Sequence, residues 1–261
     1  MPKVAHICVL GATADSNVVQ GPSGIEFTNL ILSNPIGPKV TLYVRNPSKL
    51  PSEFNEPEHA ARLRVMVGEL DDQTAIETAL SDSFTPVEAV VSFVGPYASL
   101  KAFLLRTKST PIADAFPTLL KAMKNKGVKR ILALSSSSWL IHPDSGKDGH
   151  DEDLFDSVSW DWWIAMQFVA FVLPQGFREM EETGRRIACE GKDGGWGLKW
   201  TVFRVPHLSN GSGDTPVSAG YFGNGFTGSK DLTRKSMVRW VSNELETGDW
   251  INSAPVVANT H

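Results

Sequence analysis

The apolar run Val4–Leu10 leads directly into Gly11-Ala12-Thr13, and Gly21-Pro22-Ser23-Gly24 opens a helical pattern. A strand that passes through glycines into a helix has few conformations open to it. The turn needs positive φ, and its backbone must pass where a side chain would collide. Removing Ala14–Gln20 joins the halves as Gly-Ala-Thr-Gly-Pro-Ser-Gly, a G-x-x-G-x-x-G turn. Such a turn aims backbone N–H groups and a helix N-terminus at an anion, a term of about 0.3–2 kcal/mol. Closing the seven-residue interruption costs only about 1.7 kcal/mol of chain entropy. Either the loop bulges outward and leaves the glycines in place, or it folds into the position of the anion.

Short, mostly continuous apolar runs follow at Lys39–Val44, Leu63–Val67, Ala89–Val94, Arg130–Ser135 and Lys199–Val205. Unbroken apolar runs of this length suit parallel strands covered on both faces. Helical patterns fill the gaps: Ser23–Leu32, Asp72–Leu80, Pro117–Lys126 with Gly127 as C-cap, Gln175–Glu190 and Leu232–Glu246. Alternation of this kind predicts an α/β fold, a Rossmann-type doubly wound parallel sheet, with a small C-terminal substrate lobe. The 261 residues suit a single domain, 1–261, whose lobe comes from about 139–175 and 207–232. Gly, Asn and Ser crowd Ser209–Ser229, which reads as loop.

Net charge is −4 with no basic run, so nucleic-acid binding has no electrostatic footprint. Cys8 and Cys189 belong to no Cys-x-x-Cys or Cys/His cluster, so both read as reduced and no metal is expected. No run reaches the roughly 18 apolar residues of a membrane span, and the N-terminus lacks a secretory pattern, which points to the cytoplasm.

The candidate nucleotide contacts are Gly11, Thr13, Gly21, Ser23 and Gly24 for the diphosphate. Arg45, at the end of the second strand, favours a ribose 2′-phosphate where an acidic residue would favour a free hydroxyl, and Lys49 can assist. NADP(H) is therefore expected over NAD(H). Asp72 reads as an acceptor for the adenine amino group, as a helix cap, or as both. Gly95 and Pro206 end strands on the side where ligands bind such sheets.

The split glycine turn, Val44-Arg-Asn-Pro-Ser-Lys49, Gly68-Glu-Leu-Asp-Asp72, Gly127–Ser135 and Trp200-Thr-Val-Phe-Arg-Val-Pro206 occur in order. In these motifs the chain resembles the atypical short-chain dehydrogenase/reductases of the NmrA-like and isoflavone-reductase-like branch. Gly220–Gly225 and Leu232–Trp240 look like the tail of fungal members. The resemblance covers nearly the whole chain. It implies a Rossmann fold, NADP(H) and a small-molecule substrate, and it leaves the reaction open, since relatives include reductases, isomerases and nucleotide sensors.

Two features depart from that pattern. The interruption allows that the cofactor has been lost. Many relatives in the wider superfamily use Tyr-x-x-x-Lys, and the aligned segment here reads Phe177-Arg-Glu-Met-Glu181. Phe177 cannot transfer a proton, and a positioned acid or base is worth about 10²–10⁴ in rate. Candidates for the chemistry are Ser136 and Ser137 as hydrogen-bond donors to a carbonyl oxygen, and His207 as acid or base. For the serines, a turn satisfying its own backbone is an equal reading; for His207, a structural role is the commoner one.

Trp160-Asp-Trp-Trp163 cannot turn all three rings to one core on a helix, so Trp160, Trp163, Phe168 and Phe177 are candidates for an apolar substrate pocket or lid. A homodimer interface or membrane-surface contact is an alternative use. Three functions stay open: an NADP(H)-dependent reductase or isomerase acting on an apolar small molecule in secondary metabolism, a cofactor-independent isomerase, cyclase or dehydratase, and a non-catalytic NADP(H) sensor.

Overall fold

The computed structural model describes residues 4–12, 22–82, 85–95, 109–142, 155–223 and 225–260. The first six strands are β1 (His6–Leu10), β2 (Lys39–Val44), β3 (Leu63–Val67), β4 (Ala89–Ser92), β5 (Arg130–Ser136) and β6 (Lys199–Val205). Four more follow: β7 (His207–Ser209), β8 (Val217–Gly220), β9 (Asp231–Thr233) and β10 (Val256–Asn259). The helices are α1 (Pro22–Ser33), α2 (Gln73–Ala79), α3 (Pro111–Lys126), α4 (Trp160–Val172), α5 (Pro174–Asp193) and α6 (Arg234–Thr247). Eight strands form one sheet in the order β3-β2-β1-β4-β5-β6-β10-β8, parallel except for β8, while β7 and β9 pair separately. This is a Rossmann-like α/β fold, and its strand order reverses between β1 and β4.

The continuous apolar strands are explained by two cores. In β1, Cys8 and Leu10 face one core while Ile7 and Val9 face the other. In β5, Ile131 and Ala133 oppose Leu132 and Leu134 in the same way. Helices α2, α3 and α5 cover the first face through Ile76, Phe116, Met123 and Ile187. Helices α1 and α6 cover the second through Phe27, Ile31, Met237 and Val241. Each alternate side chain thus finds apolar cover, which is why no polar alternation marks these strands.

Several elements differ from expectation, three of them instructively. Helix α3 begins at Pro111, not Pro117. Pro117 lies inside it, because Ala113, Ala115 and Phe116 are buried against the sheet, and that burial outweighs the missing backbone donor. The stretch read as loop, Ser209–Ser229, contains β8, held by antiparallel pairing with β10, a strand the sequence reading did not place. Leu232 belongs to β9, not to the following helix, and Thr233 caps α6 by accepting from Ser236 N–H at 3.2 Å.

Beyond the strands, a buried ion pair joins the chain segments. Asp156 and Arg204 have fully buried side chains. Arg204 Nη1 donates to Asp156 Oδ2 at 2.6 Å and to Trp139 O at 2.6 Å; Nη2 donates to Asp156 Oδ1 at 3.1 Å and Nε to Ala254 O at 2.6 Å. Asp156 also accepts from Ile141 N–H at 2.7 Å and Phe222 N–H at 3.0 Å. A second pair, Arg130–Glu244 at 2.8 Å, ties β5 to α6, and Glu244 also accepts from Trp250 N–H at 3.1 Å.

Removing one member of the Arg204–Asp156 pair strands the other charge in the interior. Asp156→Ala should lower the free energy of unfolding by about 3–5 kcal/mol, read from the denaturant midpoint. A loss under about 1 kcal/mol would show that water reaches the guanidinium.

Candidate functional site

The loops that follow β1, β2, β4, β5 and β6 share one edge of the sheet. Leu10 pairs with Tyr43 of β2 and with Ser92 of β4, Ser92 pairs with Ala133 of β5, and Ser136 pairs with Val205 of β6. Gly11, Arg45, Gly95, Ser137 and Pro206 therefore all sit just beyond the carboxyl ends of the parallel strands.

At the reversal point the backbone is closely packed. Gly11 has φ +86°, and a Cβ there would lie 2.5 Å from the Phe93 carbonyl carbon. Gly24, the third residue of α1, would place a Cβ 2.8 Å from Ala12 Cα. Only glycine permits either approach. Phe27 of α1 then stacks obliquely on Phe93 at 5.4 Å, and Thr28 Oγ1 donates to Gly24 O at 2.8 Å. Both flanks of the interruption thus keep the tight strand-to-helix contact of an uninterrupted turn. Thr13, Gly21 and the inserted Ala14–Gln20 lie outside the described residues. Ser23 is buried in the first turn of α1, and Pro22 stands at its first position.

The next group of candidates follows β2 and β3. Arg45 is the exposed residue directly after Val44, and Lys49 closes a short 3₁₀ turn, Pro47–Lys49. Asn46 holds this turn by accepting from Ser48 N–H at 3.0 Å. Asp72 caps α2, accepting from Ala75 N–H at 2.9 Å through Oδ1. Of its two sequence readings, the cap is the one with a partner. Beside it Tyr43 Oη donates to Glu69 O at 2.7 Å.

At the β5 end, Ser136 Oγ accepts from Ser138 N–H at 3.2 Å, the self-satisfied turn, while its own proton has no partner among the described residues. Ser137 is buried, and its N–H donates to Val205 O at 2.9 Å. Pro206 is half-buried between β6 and β7. His207 is exposed, with Nδ1 2.8 Å from Asp231 Oδ1.

Helix α5 presents apolar chemistry to this edge. Phe177 is half-buried, and Glu181 pairs with Arg185 at 2.9 Å. Ser135 Oγ donates to Met180 O at 2.9 Å, and Met180 Sδ lies 3.5 Å from where a Cβ on Gly95 would stand. Methionine, not a titratable group, therefore covers the β4–β5 boundary. Its neighbour Glu179 is 1% exposed and accepts from Ala113 N–H at 2.9 Å and Ile112 N–H at 3.3 Å. Thr110 makes no side-chain cap, so α3 borrows its N-terminal acceptor from α5. No local sequence signal marks this cap, because its two halves are far apart in the chain.

The tryptophans divide as the helical spacing requires. Trp162 packs on Phe222 at 4.9 Å, while Trp160 and Trp163 are exposed and stack on each other at 5.1 Å. Side-chain contacts of Phe168 lie outside the described residues.

A protein family described as NAD(P)H-binding matches residues 20–247. The chain belongs to this NAD(P)H-binding family. Its structure resembles a short-chain dehydrogenase/reductase (wide type) from Veillonella parvula in complex with NADP, at TM-score 0.67 and 17% identity over 98% of this chain and 95% of that one. It also resembles a candidate epimerase from Bacteroides thetaiotaomicron, at TM-score 0.63 and 17% identity over 99% of both chains. An anaerobilin reductase from Escherichia coli matches at TM-score 0.61 and 12% identity, covering 98% of this chain and 97% of that one. Among the described residues, no helix is long and apolar enough to cross a membrane.

The glycine cradle fits the dinucleotide of an NAD(P)H-binding protein: removing the Cβ at Gly11 and Gly24 is what lets backbone converge at the β1–β4 reversal. The borrowed cap makes a pH prediction. Burial raises the Glu179 carboxyl above its ordinary range, against the lowering effect of its two backbone donors. Its contribution to stability is therefore full below the ordinary carboxylate value and is lost as pH rises through the raised one. Relative to wild type, Glu179→Gln should gain stability as pH rises from the ordinary carboxylate value through the raised one, read in parallel denaturant titrations. A pH-independent difference would mean that the carboxyl titrates alike in the folded and the unfolded chain.

Proposed function

We propose that this chain is an NADP(H)-dependent reductase or isomerase of the NmrA-like branch, acting on an apolar small molecule in secondary metabolism in the cytoplasm. The observation that carries the reading is the preserved contact of Gly11 with Phe93 and of Gly24 with Ala12 on either side of the interruption. With that contact intact, the backbone at Gly11 and the N-terminal turn of α1 are placed for the diphosphate. Arg45 and Lys49 stand at the end of β2 for the 2′-phosphate, and the relative described as complexed with NADP is in keeping with them. The bound nucleotide would supply a hydride.

The chain's own residues do the rest. The hydroxyls of Ser136 and Ser137 orient a carbonyl oxygen at the ends of β5 and β6. Trp160, Trp163, Phe168 and Phe177 form the apolar surface of a substrate lobe drawn from about 139–175 and 207–232. The stacked, exposed Trp160–Trp163 pair supports that assignment. The same face is open to a second copy of the chain.

A second reading rests on helix α5. Phe177, Met180 and Glu181 leave no proton donor where one is usual, which favours nucleotide sensing or nucleotide-independent isomerisation on the same fold.

Titration calorimetry with NADPH and NADH, on wild type and Arg45→Gln, tests the reading. NADPH should bind more tightly, and the substitution should reduce that preference by about tenfold to a hundredfold, the worth of a charge-assisted hydrogen bond. Equal affinities in wild type would remove the NADP preference. Absence of binding by both nucleotides would leave only the nucleotide-independent use of the fold.

A further inference from the structure

We propose that His207 is the proton donor and acceptor of this site and that Asp231 is the residue that positions it, an assignment that rests on the nucleotide-dependent reading above. His207 follows Pro206 directly beyond the carboxyl end of β6, where the backbone of Val205 is bonded to Ser137. Its Nδ1 stands 2.8 Å from Asp231 Oδ1, and the other carboxylate oxygen accepts from Ser209 Oγ at 2.6 Å.

A carboxylate can only accept. Nδ1 therefore carries the proton, and Nε2 is left as the lone pair of the neutral ring or the N–H of the charged one. Nε2 has no partner among the described residues, and the His207 side chain is 77% exposed.

The pairing is built, not incidental. Strands β7 and β9 pair in register with His207 opposite Asp231. Ser229 Oγ donates to Asp231 O at 3.1 Å and so steadies the acid's backbone. An exposed ion pair contributes at most about 1 kcal/mol, so stability is a poor reason to order one with a second hydroxyl and a dedicated two-strand sheet. The adjoining charged groups are Lys230, Asp161, Arg234 and Lys235. Lys230 is taken up by Asp161 at 2.8 Å, and its carbonyl accepts from His207 N–H at 3.3 Å. Arg234 donates to Asn210 Oδ1 at 2.7 Å, and with Lys235 it lines a cleft of about 340 Å³ beside Gly211. Asp231 is thus the carboxylate free to fix the imidazole.

This dyad provides what Phe177 and Glu181 do not. In carbonyl reduction the bound nucleotide would supply the hydride, two electrons to the carbonyl carbon, with opening of the C=O π bond. The oxygen takes the proton from Nε2. The ring is left neutral, still donating Nδ1–H to Asp231, and water returns the proton. In the reverse direction Nε2 accepts the alcohol proton.

The test is carbethoxylation of His207 by diethyl pyrocarbonate, followed by peptide mass spectrometry, with and without saturating NADP⁺. Buried His6, at 1% exposure, serves as the unreactive control. His207 should react readily in the free protein and be protected by about tenfold or more when the nucleotide is bound. Imidazole ¹⁵N spectra of the nucleotide-free protein should show Nδ1–H in wild type and a mixture of tautomers in Asp231→Asn, with Ser209→Ala intermediate. Equal reactivity with NADP⁺ demonstrably bound would overturn the role of His207 and leave the nucleotide reading standing. An unchanged tautomer in Asp231→Asn would overturn the positioning role. Failure of NADP⁺ to bind at all would remove both.

Discussion

The Arg204–Asp156 pair holds together parts of the chain that strand pairing alone would leave independent. Arg204 projects from β6, and its guanidinium reaches Trp139 O, Ala254 O and Asp156, with the Tyr221 ring 5.3 Å away. Asp156 answers by accepting from Ile141 and Phe222. The segment leaving β5, the entry to α4, the end of β8 and the entry to β10 are thereby fixed to one point. Burying two charges is expensive, and a well-packed apolar replacement would often be as stable. What such a pair adds is register, since four segments meet its donors and acceptors at once. The aromatic cluster of Trp162, Phe222 and Phe226 lies beside it in the chain, Phe222 N–H being one of its donors.

The location of the site follows from the sheet. Because strand order reverses between β1 and β4, the chain leaves those two strands in opposite directions and opens a crevice. At this point Gly11 and Gly24 let backbone pack on backbone. The seven-residue interruption lies between those two contacts. Its entropy cost is small because loop closure grows only slowly with length, whereas a single Cβ at Gly11 would collide with the Phe93 carbonyl. Length is tolerated here; a side chain at the contact is not.

Helix α5 turns apolar or already engaged side chains to this edge. Met180 closes over Gly95, and Glu179 serves as a helix cap for α3 instead of a group facing the crevice. The polar groups at this edge come instead from the ends of β5 and from the small β7–β9 sheet, where Ser136, Ser137, His207 and Asp231 lie.

Much of this was legible in the residues. Strands β2, β3 and β6 fall at the expected bounds: β2 and β6 are covered on both faces, and β3, at the sheet edge, is still a run of mostly apolar residues. The Gly127 cap and the glycine turn were equally readable, since positive φ and close approach select a residue type at a single position. Pro117 misled because a proline that suits a helix start can be carried inside a helix when the flanking face is buried. Strands β8 and β10 carry no such signal, because four residues are too few to show a periodicity of their own. Local order in the sequence thus determined the alternating layers, the parallel strands and the glycine at the end of β1. Only the tertiary structure decided that Asp156 neutralises Arg204, that Glu179 caps α3 and that Asp231 holds His207. Each of these joins residues distant along the chain, and hydrogen-bond geometry between such residues exists only once the intervening segments have packed.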